Sequence, residues 1–89
     1  MQKKAGRYPE KPEKAIIIRI GIAAGGVWHL LEREERLTLP ELNAKVAEDL
    51  AEDRDVVCMG VGWLLRKGYI VLKKENSNYV VRLRKKVPK

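Results

Sequence analysis

Two residues carry the side chains that most often make a nucleophile–base pair, Cys58 and His29, and each is the only one of its type in the chain. A thiol acts as a nucleophile only with a base within hydrogen-bond reach, and these two fall on different predicted helices. Cys58 therefore reads as a small apolar packing residue. His29, beside Trp28, reads as a surface or packing residue. One cysteine and one histidine cannot assemble a structural zinc site. Glu48, Asp49, Glu52, Asp53 and Asp55 can gather a divalent cation, but no segment follows a calcium-loop pattern, and a solvated helix face accounts for them. Trp28 and Trp63 invite a ligand-cage reading; both sit on helical stripes, where core packing is the expected role. The segment GIAAGG lacks the GK[ST] ending of a phosphate loop. No enzymatic activity, no cofactor and no metal are expected.

The chemistry the sequence does supply is ionic. Net charge is +7, unevenly spread. Residues 1–19 carry +4, residues 37–55 carry −4, and residues 69–89 carry +6. Basic ends of this kind attract polyanions. The candidate phosphate-binding residues are Lys73, Lys74, Arg82, Arg84, Lys85 and Lys86, all toward the C-terminal end. Arg54 stands apart, at the start of the predicted third helix.

These residues are positioned by a short series of elements. Eighty-nine residues make one domain. Residues 1–14, rich in proline and charge, read as a flexible basic arm, residues 15–84 as the folded domain, and residues 85–89 as a basic tail. Ala15 to Ile18 suits either a strand or the first turn of a helix. From Arg19 to about Glu35, the residues Ile20, Ala23, Ala24, Val27, Leu30 and Leu31 recur at helical spacing. Gly25 and Gly26 inside that helix imply a packing reason, since glycine costs up to about 1 kcal/mol there. Leu37 to Leu39 alternates like a short strand. Thr38 and Glu41 form a capping box with Pro40 in the first turn, opening a second helix with Leu42, Val46 and Leu50 facing inward. Asp53 is the expected N-cap of a third helix that stops at Gly68. Tyr69 to Lys74 and Tyr79 to Arg84 then read as two strands joined by Glu75-Asn76-Ser77-Asn78. In that register Ile70 pairs with Leu83 and Leu72 with Val81.

Val56 to Leu65 carries no charged or amide side chain. A surface helix ordinarily shows a polar face, so this one needs cover on more than one side. Val56, Gly60, Trp63 and Leu64 are expected to face the first helix. Cys58, Met59 and Gly62 then point outward and are the expected contact of a homodimer.

Three helices, a short strand and a C-terminal β-hairpin wing make an α+β winged helix-turn-helix. The segments IGIAAGGVWHLL, TLPEL and MGVGWLLRKGYI resemble a family of small bacterial and archaeal winged helix-turn-helix domains of unknown function. The resemblance spans roughly residues 20–70 and is sharpest in AGGVW and GWLLRKGYI. It implies the fold and leaves the activity open. In such a fold the third helix presents its N-terminal residues to the major groove, here Arg54, Asp55, Cys58, Met59 and Gly62. Only Arg54 can make a bidentate contact to guanine. The expected partner is therefore duplex DNA, held mainly by wing and tail charges in a regulatory or DNA-associated role. The alternative is a homodimeric interaction module without sequence reading. The lone cysteine fits a reducing compartment. No signal peptide is expected, because the first fourteen residues are polar and basic, and AIIIRIGIAA is too short to span a bilayer. A soluble cytoplasmic protein is expected.

Overall fold

A computed structural model describes residues 10–84, with side chains from residue 15 onward. Helix α1 spans Glu10–Glu34, strand β1 Arg36–Thr38, helix α2 Leu39–Leu50, helix α3 Arg54–Lys67, strand β2 Ile70–Glu75 and strand β3 Asn78–Leu83. The segment Ala15 to Ile18 is thus helical, and α1 also takes in residues 10–14 of the expected arm. The rest of the arm and the tail lie outside the described residues.

Helix α1 is the axis of the core. Ala23, Ala24, Val27, Leu30 and Leu31 are buried on the predicted stripe, with Ile20 partly buried beside them. At its centre α1 meets α3 backbone to backbone. A Cβ on Gly60 would lie 3.0 Å from the Ala24 amide nitrogen and 3.3 Å from the Ile20 carbonyl oxygen. Gly26 has a packing reason of another kind: a Cβ there would meet Leu50 at 2.9 Å and Val46 at 3.2 Å. Gly25 has none, as nothing lies within 4 Å of its Cβ position.

Helix α2 starts with the predicted capping box. The Thr38 hydroxyl accepts from the Glu41 amide at 3.3 Å, and the Glu41 carboxylate accepts from the Thr38 amide at 3.1 Å. That second bond holds the Glu41 carboxyl below its ordinary pKa. Leu42 and Val46 are buried, whereas Leu50 is exposed. It faces α1 as expected, against Gly26, but as the last residue of α2 it stays partly open at the rim.

Asp53 is the N-cap of α3, but its side chain makes no capping bond. It faces Arg19 of α1 at 3.5 Å instead. Arg19 also donates from Nε to Glu52 Oε2 at 3.0 Å. This ion pair ties α1 to the α2–α3 junction. The Arg19 hydrogen bond, aided by the Asp53 amide, pulls the Glu52 pKa down to about 2. A carboxyl lowered in the folded state stabilises fully above its ordinary value of 4.5 and loses that contribution as pH falls toward 2. Glu52→Gln should therefore flatten the acid limb of stability between those two values, as read by thermal melts across pH.

The sheet order is β1-β3-β2, antiparallel throughout. The expected register holds, with Ile70 opposite Leu83 and Leu72 opposite Val81. The turn is tighter than expected. Glu75 pairs with Asn78, so only Asn76 and Ser77 connect the strands. Asn76 takes a φ of 58°, a left-handed conformation that asparagine tolerates. Ile70 and Val81 are buried beneath the helices and fix the hairpin to the core.

Candidate nucleic-acid interface

The N-terminus of α3 and the tip of the hairpin face a common groove. Arg54 lines one groove with Asn43 and Pro40 of α2 and with Ser77, Asn78 and Tyr79 at the turn. Strand alternation puts Lys74 and Tyr79 on the helix-facing side of the hairpin. There the Lys74 ammonium lies 5.6 Å from the Tyr79 ring centroid, within cation–π range. Arg54 at the start of α3 and Tyr79 on the wing thus line one concave surface, with Lys74 beside the tyrosine ring. The amide oxygen of Asn43 beneath it is buried and accepts no hydrogen bond.

The other basic candidates separate. Lys73 and Arg82 are exposed on the opposite face of the sheet. Arg36 of β1 stands directly across from Arg82 and is ion-paired to Glu75 at 2.7 Å. Arg84 lies at the base of the hairpin and donates from Nε to the Gly68 carbonyl at 2.8 Å. That guanidinium closes the α3–β2 corner, ~20 Å of strand from the wing tip. Lys85 and Lys86 lie outside the described residues. The wing charges therefore divide between the two faces of the hairpin, with Lys74 beside Tyr79 on one and Lys73 and Arg82 on the other.

Sequence reasoning missed Tyr79 and Arg36. Tyr79 was legible as the aromatic opposite Lys74 once the register was drawn. Arg36 was hidden because β1 is three residues long, too short to reveal its face.

On α3 the positions that would face a groove are exposed as expected: Arg54, Asp55, Cys58, Met59 and Gly62. Trp63 is a correction. It was expected to pack inward, yet it is 49% exposed. The buried arc of α3 consists of Val56, Val57, Gly60, Val61 and Leu64. Trp63, one turn after Met59, falls beside that arc. Its ring leans on Tyr69 at 6.3 Å, and Tyr69 meets Trp28 edge-on at 5.6 Å. Trp28 is partly buried against the core, as expected.

Cys58 and His29 are both exposed. Among the described residues, no three His, Cys, Asp or Glu side chains converge closely enough to hold a metal ion. The segment Ala15–Glu34 of α1 is long and apolar enough to cross a bilayer by length and composition, which the shorter run AIIIRIGIAA had not suggested. In this fold its inner side forms the core.

Residues 13–83 match the family described as "Winged helix-turn-helix domain (DUF2582)". The chain belongs to this family. An uncharacterized protein of the archaeon Methanocaldococcus jannaschii is 32% identical over 66 residues, covering 74% of this chain and 91% of that protein. A solution NMR structure of a Bacteroides thetaiotaomicron protein superposes with a TM-score of 0.60 at 29% identity, covering 73% of this chain and 74% of that one. The winged helix-turn-helix domain is thus shared by chains of very different source. The family description assigns it no activity, so function rests on the geometry of this surface.

Proposed function

We propose that this winged helix domain binds duplex DNA through the wing and the start of α3, as a cytoplasmic regulator or DNA-associated protein without enzymatic activity. The observation that carries this reading is the groove in which Arg54 faces the wing tip, with Lys74 seated on Tyr79. A duplex against it would receive phosphate contacts from Lys74 and from the tail lysines Lys85 and Lys86. Lys73 and Arg82 would add long-range attraction from the far face. Asp55, Cys58, Met59 and Gly62 offer base edges little to bond. Affinity should therefore depend steeply on salt and weakly on sequence.

A salt-titrated binding assay on duplex DNA tests this. Exchanging Lys74, Lys85 and Lys86 for glutamine should weaken binding strongly. Each lost phosphate contact should flatten the slope of log affinity against log salt by about 0.9. Arg84→Gln should act mainly through stability, because its guanidinium is engaged at Gly68. If Arg54→Ala alone relaxed preference at one base pair while the lysine variant bound normally, α3 would be a sequence reader and the charge-driven reading would fall.

The second reading is a homodimeric interaction module, favoured by the exposure of Cys58, Met59 and Gly62 on α3.

A further inference from the structure

We propose that a second copy of this chain docks on the outer face of α1, with Met59 and Trp63 of α3 at the edge of the contact. The proposal deepens the self-association reading above. It moves the centre of the contact from α3 to α1, and it is independent of nucleic-acid binding.

Helix α1 buries one side and leaves the other apolar. Ile17, Ile18 and Ile22 are 66%, 62% and 58% exposed. Between and beyond them Gly21 and Gly25 open onto empty space, with nothing within 4 Å of a Cβ at either. Over residues 15–28 the only charged side chain is Arg19, and it is turned toward Glu52 and Asp53. Ile17, Ile18, Gly21, Ile22 and Gly25 recur at helical spacings of three and four, so they form one strip. The strip runs on toward α3. Gly60 seats against Ala24 and Ile20, and Met59 and Trp63, 45% and 49% exposed, lie beside that seam.

The size of the face fits a second copy. The exposed parts of Ile17, Ile18, Ile22, Met59 and Trp63 leave on the order of 500 Å² of apolar side-chain surface, at the upper end for a monomer. Doubled across a twofold axis, this approaches the ~1,000 Å² that a specific interface needs. A helix from a second copy, laid across Gly21 and Gly25, would bring two backbones close, which glycine alone permits. An isologous contact also places identical apolar strips against each other. The segments outside the described residues, MQKKAGRYP and KKVPK, are poor occupants. Both are dominated by basic and small residues and offer only Met1, Tyr8 and Val87 as large apolar side chains. A lipid surface would cover the isoleucines but would gain nothing from two open glycines.

The test is sedimentation of the full chain at high micromolar concentration, with folding checked by circular dichroism. The parent should sediment as a dimer. Its association should hold or tighten as salt rises, because copies of net charge +7 repel less when screened. Ile18→Glu with Ile22→Glu should give a folded monomer, its dimer weakened by about a hundredfold or more. Cys58→Ser and Gly62→Ala should remain dimeric. A parent that stays monomeric overturns the proposal together with the self-association reading. A dimer broken by Gly62→Lys but not by the isoleucine pair overturns the proposal alone and returns the contact to α3. A monomeric parent that floats with anionic vesicles, and loses that property in the isoleucine variant, assigns the face to lipid instead.

Discussion

Gly60→Val should destabilise the domain by about 3 kcal/mol, the upper end of what overpacking costs. The atoms in the way are the amide nitrogen and Cα of Ala24 and the carbonyl oxygen of Ile20. These are backbone, so no rotamer change relieves the clash; α1 and α3 must separate. Separation would disturb Val57 and Leu64 on one side of the seam and Ala24 and Leu31 on the other, all buried. Two residues along α3, Gly62 has nothing within 4 Å of its Cβ position. Gly62→Ala should therefore stabilise by up to about 1 kcal/mol, the helix-propensity gain alone. Urea denaturation of the two variants beside the parent checks both signs. Equal effects at the two positions would mean that the α1–α3 seam is looser than a 3.0 Å approach at Gly60 requires.

Ile70→Ala should cost about 2–5 kcal/mol, the range for removing a fully buried aliphatic side chain. Ile70 is 1% exposed and pairs with Leu83 at the base of the hairpin. It is where the sheet is fastened to the helices. The loss should be felt in the wing as well as in global stability. Hydrogen exchange at Lys73, Lys74 and Val80 should quicken more than at Val27 or Val57, and affinity for DNA should fall even in conditions where the variant remains folded. An effect spread evenly over all amides would show that the hairpin and the helices open as one unit.

The elements were legible where a local rule set them. Thr38 and Glu41 cap each other across one turn, Gly68 ends α3 at a φ of 84°, and alternation in the two strands set the hairpin register. The faces of α3 were not legible. Val56 to Leu65 is apolar at every position, so periodicity cannot separate Val61, which is buried, from Trp63, which is half exposed. Size misled as well, because a large aromatic suggests an interior role that only the seam at Gly60 could rule out. Leu50 followed the stripe of α2 and reaches Gly26, but at the last residue of the helix that contact covers only part of it. The site divided in the same way. Arg54 and the wing lysines were visible as charges. Their sorting onto two surfaces depended on strand pleat and on the bonds that hold Arg36 and Arg84. The link from Arg19 to Glu52 joins residues far apart in the chain, and no local pattern announces it.

The strand order has a consequence for how this chain is made. Among the described residues β3 is the last element in sequence and the middle strand in space. While the ribosome is still adding residues beyond Glu75, β1 and β2 have no neighbour to bond, and their polar edges stay open to other chains. The three helices can gather during that interval, since their contacts lie earlier in the chain. The sheet forms in one step, when Asn78–Leu83 emerges and slots between two waiting strands. A chain interrupted in this segment would lose both strand pairings at once and keep exposed edges that invite aggregation.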